Sequence, residues 1–347
     1  FKRVQQQVFT SRGYFTPAGF NASRESIAKQ RQLVSEASHI SNRLNIAVGR
    51  IEDSAVEAPE VLLRSQKALT KNLDFIKDIE PVERIAAVAS KYNIPEDVAE
   101  EVVNARVLID ELSTSVLGTK AANKKTKEAI QANLGSYLNR SYRLFEDKGF
   151  SPSDKVRQDA INFLAKEKMA SNKAYRGSPK KEEKAFRFAT SQVNRILGET
   201  KTLDETYNYF AKSRYVNKNI LKYKDEVPQP VRDLMGEITD PSENILLTIG
   251  KLGKLSEESK FYDRMYEMGA KGRTKYIFKP GQDYDQSRFN AVISGTNTQL
   301  DGMVTTPQML KAIQGAEDTF NISNTGLGRI YKGFLGFKGL SPGLVKK

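Results

Sequence analysis

No cysteine occurs among the 347 residues of this chain. That excludes a disulfide frame, a cysteine-ligated zinc and a thiol nucleophile, and it fits a reducing compartment or a harsher one. Histidine is nearly as scarce, with His39 alone. One histidine without a second or a cysteine does not make a zinc site. A histidine-based triad would have to use it, and no GxSxG turn accompanies it. Its place beside Ile40, in a long segment of helical periodicity, predicts a structural or surface role. Neither GxxxxGK[ST] nor GxGxxG occurs. The glycines of "NTGLGRIYKG" (324–333) follow no strand, which argues against a phosphate loop. Glycine (23) and proline (12) are too few for a low-complexity chain. No apolar run reaches the roughly 18 residues of a membrane span, and no secretory leader pattern opens the sequence, so the segment is not expected to cross a membrane. It begins at Phe1 and ends on two lysines, and reads as a processed product or a piece of a longer protein. No fixed-period repeat is visible.

Apolar residues make up 39% and charged residues 28%, which suits a soluble helical protein. Apolar positions recur every three to four residues through most of the chain. Ile27, Leu33, Ala37, Ile40, Leu44, Val48 and Ile51 predict a helix over 23–51. Pro59, Pro81 and Pro95 each predict a helix start, the last helix stopping near Gly118. Further helices are expected over 124–148, 152–170, 180–197, 204–221, 228–236, 241–268, 307–315 and 325–338. Within 124–148, Leu134, Leu138, Ser141 and Phe145 predict one buried stripe. Gly135 would permit close helix approach, and Arg140, Tyr142 and Arg143 would face a partner. After Gly269 the periodicity is lost. "TKYIFKP" (274–280) and "AVISG" (291–295) are short β-like runs. The expected fold is therefore mainly α, an elongated multi-helix assembly with a small irregular, partly β insert near 271–306. The chain divides into an N-terminal helical region (1–118), a basic helical region (119–200), a helical region (201–270), the insert (271–306) and a C-terminal helical segment (307–347).

The net charge of +13 is unevenly spread. Residues 1–49 carry +5, 50–119 carry −6, 120–187 carry +9, 188–270 carry −1 and 271–347 carry +6. Such blocks are solvated helix faces, pairs between neighbouring subunits, or a basic surface facing a polyanion. Lys124, Lys125, Lys127, Arg140, Arg143, Lys180 and Lys181 are candidate contacts to nucleic acid or to another subunit. "YNYFAKSRYVNKNILKYK" (207–224) interleaves tyrosines with cations and adds Lys212, Arg214, Tyr215, Lys218 and Lys222. Cations there would neutralise phosphates without reading sequence, and tyrosines would stack on bases or anchor an interface. No sequence-specific DNA-binding motif is present. The carboxylate pairs Glu100–Glu101 and Glu257–Glu258 are expected on ordinary polar helix faces rather than as a glycosidase pair. No catalytic residue, metal ligand or cofactor site is assigned.

Four phrases, in order, carry a resemblance: "FTSRGYFTPAGF" (9–20), "NLGSYLNRSYRLFED" (133–147), "ILKYKDEVPQPVRDLMGEITDPSENILLTIGKLGKL" (220–255) and "GRIYKGFLGFKGLS" (328–341). Together they resemble the large internal core proteins, or ejection proteins, of short-tailed double-stranded DNA phages. Each phrase is loose; their order across nearly the whole chain is what is specific. The resemblance implies a structural virion protein, stacked above the portal inside the capsid as a homo-oligomer. Its partners would be other core proteins, the portal and, nonspecifically, the packaged double-stranded DNA. On infection such proteins are ejected and help to form a DNA-translocation conduit across the host envelope. Some members carry a peptidoglycan-cleaving transglycosylase domain; none is found in this segment, which is expected to be non-enzymatic. The rival expectations are a nonspecific DNA-binding helical protein associated with packaging, or an accessory part of a cell-wall hydrolase.

Overall fold

The computed structural model describes residues 17–50, 57–71, 73, 76, 79–122, 124–138, 141–147, 149–198, 227–271, 276–294 and 298–320. It is mainly helical with one small three-stranded sheet. The helices are α1 (Pro17–Gly49), α2 (Glu57–Thr70), α3 (Pro81–Tyr92), α4 (Glu96–Gly118), α5 (Lys124–Ala132), α6 (Arg143–Glu146), α7 (Asp154–Ser171), α8 (Pro179–Ile196), α9 (Gln229–Met235), α10 (Pro241–Ala270) and α11 (Pro307–Phe320).

Local chemistry sets most helix ends. Proline opens α3, α8 and α10, where its missing N–H has no helical partner to lose. Ser153 caps α7 by accepting from the Val156 amide at 3.4 Å. Asn93 closes α3 in the left-handed conformation, φ 50°.

Two compact units result. In the first, described residues up to Leu138 pack with those from Pro241 onward; the second is Asn139–Asp240. This grouping departs from the linear five-part division, because α10 returns to pack on α1 and α4. The apolar stripe Leu33, Ala37, Ile40, Leu44 and Val48 of α1 is buried, and so are all of the first ten residues of α10. Such a segment must be surrounded by other elements, and helices on two sides do so. The Ser41 hydroxyl donates to the Ser242 carbonyl at 2.9 Å, joining positions 201 residues apart. Gly253 lets the helices close: a Cβ there would lie 3.1 Å from Leu33 Cδ1.

The sheet lies within the expected insert. β1 (Ile277–Phe278) and β2 (Ala291–Val292) both pair antiparallel with the central β3 (Val304–Thr305). Ile277 and Ala291 both face Thr305 in register. Phe289, Ile293 and Met303 of this region share a core with Phe261 and Met265 of α10 and with Met309 and Ile313 of α11.

In the second unit α7 packs on α8 and α9, around Ala160, Leu164, Ala189, Val193, Val231 and Leu234. Residues 141–143 run beside 236–238. The Arg143 amide donates to the Gly236 carbonyl and the Ile238 amide to the Ser141 carbonyl, both at 2.9 Å, around an antiparallel Tyr142–Glu237 bridge.

That bridge overturns the continuous helix expected over 124–148. α5 stops at Ala132, and Gly135 takes φ 82°, which a right-handed helix cannot contain. The Ser141 carbonyl and the Arg143 amide are committed to the 236–238 segment, so no helix runs through from α5 into α6. The expected stripe breaks accordingly: Leu138 (3% exposed) and Ser141 (1%) are buried, while Leu134 (38%) and Phe145 (39%) are exposed. Gly135 serves a turn, not a helix approach. Tyr142, expected to face a partner, is buried in the core of its unit.

Candidate polyanion interface

The basic candidates fall into different local settings. Lys124 projects from the start of α5 with its side chain 90% exposed, 3.9 Å from Glu128. Lys127, three residues on, donates to the Thr119 carbonyl just past the end of α4. A cation at a helix C-terminus satisfies an orphan carbonyl and opposes the negative end of the helix dipole. Lys127 is therefore a structural cap rather than a free contact. Lys125 is in α5, but its side chain lies outside the described set, as do Arg140, Lys212, Arg214, Tyr215, Lys218 and Lys222.

In the second unit Arg143 is exposed at the start of α6. Lys180 and Lys181 are exposed in the first turn of α8, where Glu182 accompanies them. Cations are disfavoured at that positive helix end, so these two lysines do not serve the helix they begin. Lower on α8, a shallow cleft of about 420 Å³ beside the exposed Phe186 contains the Glu183–Arg187 pair at 2.6 Å.

Two carboxylates of the acidic block pair within the chain. Glu101 of α4 is buried and meets Arg43 of α1 at 2.9 Å, and Asp97 lies 3.8 Å from Arg50. Glu101 and Glu257 were both expected on polar faces. Burial of Glu101 comes with the packing of α1 on α4, and Glu257, on α10, meets Lys260 at 2.8 Å. Burial pushes the Glu101 carboxyl up, against the opposing pull of Arg43. His39 is exposed on α1 beside the buried Ile40. Among the described residues no group of three acidic, histidine or cysteine side chains is placed to hold a metal ion, and no helix is long and apolar enough to cross a membrane.

Sequence reasoning missed one basic site. Between α2 and α3 an open cleft of about 650 Å³ is lined by Arg64, Lys67, Lys71, Lys91 and Tyr92. Arg64 is held in place: Nη2 bonds Glu60 Oε2 at 2.7 Å and Nη1 bonds the Asn93 carbonyl at 3.2 Å. Burial raises the Tyr92 hydroxyl above the ordinary tyrosine range. The signal was the three- and four-residue spacing of Arg64, Lys67 and Lys71, hidden inside a block of net charge −6.

No known protein family, curated protein or solved structure matches this chain. Its functional reading therefore rests on its own residues and on the ordered phrases quoted above.

Proposed function

We propose that this chain is a structural component of the internal core of a short-tailed double-stranded DNA phage, carried in the virion and ejected to help form the path for DNA across the host envelope. The observation that carries the reading is the order of the four phrases over nearly the whole sequence. The mainly helical architecture agrees with it. So does the lack of cysteine, since no covalent link would block passage through a narrow portal. The chain acts in this reading as a homo-oligomer beside the portal and other core proteins, it is non-enzymatic, and any peptidoglycan-cleaving domain lies outside it.

Mass spectrometry of purified virions tests the reading. The chain is expected in virions at several copies and in the host envelope fraction after infection. Its absence from virions would overturn the proposal. Clearing of peptidoglycan by the isolated chain in a zymogram would replace it with the hydrolase alternative.

The basic cluster at the start of α5 has its own test. Lys124→Glu with Lys125→Glu, leaving the capping Lys127 intact, is expected to preserve incorporation into virions and to slow genome delivery if these lysines face the DNA path. Loss of incorporation would instead place them in subunit pairing.

A further inference from the structure

The cleft between α2 and α3 plays no part in the reading above. Four cations line it and no carboxylate does among the described residues; Glu60, one helical turn before Arg64, is bonded to it. It cannot be an overflow of general basicity, since residues 50–119 carry a net charge of −6. We propose that this cleft is a phosphate-recognition site that takes the backbone of a nucleic-acid strand.

Geometry fits that ligand. Arg64 and Lys67 stand on α2 and Lys71 directly after its last residue, Thr70. Seven residues of helix cover about 10 Å. That is the rise of about three nucleotides of one strand at roughly 3.4 Å each. Lys91 and Tyr92 end α3 and form another part of the lining. The Lys67 and Lys71 ammonium groups make no ion pair among the described residues, so both can reach a ligand. Arg64 differs: its bonds to Glu60 and to the Asn93 carbonyl fix the guanidinium and leave further N–H groups for a phosphate oxygen. Helix-end electrostatics explains a single lysine in each last turn, Lys67 in α2 and Lys91 in α3. It does not explain four cations on one concave surface. Tyr92 supplies an aromatic wall, on which a base can stack without sequence preference. The volume of about 650 Å³ exceeds what one inorganic phosphate fills.

A free phosphate compound offers the same chemistry, so the test separates the two sources. Binding of a fluorescent oligodeoxythymidylate to the full chain is followed by anisotropy over a salt series. The variant Lys67→Glu/Lys71→Glu/Lys91→Glu is compared with the control Lys166→Glu/Lys279→Glu/Lys311→Glu, which changes the same charge at exposed positions elsewhere. The cleft variant is expected to lose at least about tenfold in affinity, with the slope of log K against log salt shallower by about 2, at roughly 0.7 per phosphate contact. Pyrophosphate at matched ionic strength is expected to displace the oligonucleotide from the wild-type chain. Thermal melts check folding, and if charge reversal unfolds the chain, the neutral Lys67→Gln/Lys71→Gln variant takes its place with a proportionally smaller loss. Equal weakening in the control, or wild-type binding by the cleft variant, overturns the site. Protection of Lys67 and Lys71 from amine labelling by pyrophosphate, with no oligonucleotide binding, overturns the strand assignment in favour of a small phosphate ligand. The inference stands on the cleft alone: virion mass spectrometry decides the core role, and anisotropy decides this site.

Discussion

Arg106 of α4 is 2% exposed and still charged, because three acceptors surround it. Nη1 donates to the carbonyls of Leu69 at 3.2 Å and Tyr137 at 2.8 Å, and Nη2 to Asp110 at 2.7 Å. One guanidinium thereby ties the end of α2 and the turn after α5 to α4. Burial pulls its pKa down while Asp110 supports the charged form. Arg106→Met removes the donor and leaves two carbonyls and a carboxylate without it. A loss of about 2–5 kcal/mol is expected in urea unfolding, mainly from the two buried carbonyls left without a donor. A loss below about 1 kcal/mol would mean that water takes over these acceptors. Glu101 makes the opposite kind of prediction. Its folded pKa lies above the unfolded value, so the folded state holds the proton more tightly. Its contribution to stability therefore falls as pH rises from the ordinary carboxylate range through the raised value, and stays flat above it. Glu101→Gln is expected to gain on wild type as pH rises from about 4 to 7 in urea melts. A difference that is constant with pH would show that Arg43 balances burial, and a trend of opposite sign that it outweighs burial.

Among the elements, the 133–147 segment separates local from distant control. A continuous helix would bury Leu134 and Leu138 alike, whereas the turn at Gly135 buries Leu138 alone. Leu138→Asp is expected to destabilise by several kcal/mol, since it places an unpaired carboxylate in the core. Leu134→Asp should stay within about 1 kcal/mol in the same thermal melts. Similar losses from both would restore the continuous helix. Gly236, at the other side of the bridge, has φ 66°, and a Cβ there would sit 2.5 Å from Phe150 Cζ. Gly236→Ala combines left-handed strain with a clash against an aromatic ring, and a loss of about 2–4 kcal/mol is expected in chemical unfolding. A loss under about 1 kcal/mol would mean that the Phe150 ring moves aside freely.

At the scale of the molecule the two units differ in how far along the chain their contacts reach. The second unit is built within Asn139–Asp240. Closing the first joins α1 to α10 across the whole of that stretch, as the Ser41–Ser242 bond illustrates. Closing a longer loop costs more entropy before any contact repays it, so the local unit should form first. Pulse-labelled hydrogen exchange during refolding is expected to protect α7 and α8 before α1 and α10. Simultaneous protection would show one cooperative unit. Under the proposed ejection role, reassembly after passage would wait on the α1–α10 pairing.

Much of this architecture was legible because its causes are local. Pro81, Pro179 and Pro241 fix φ at helix starts, and the Leu33–Val48 stripe repeats at helical spacing whatever it packs against. The loss of that spacing after Gly269 marked the insert in which all three strands lie. Tertiary structure alone decided the rest. The helix break at Gly135 is completed by hydrogen bonds to residues about a hundred positions downstream. Glu101 and Glu257 sit where the sequence shows only polar helix positions, and become buried once other elements pack over them. The α2–α3 cleft gathers Arg64, Lys67, Lys71 and Lys91 from a block whose net charge is negative, because net charge counts residues along the chain while a ligand meets only those that share a surface.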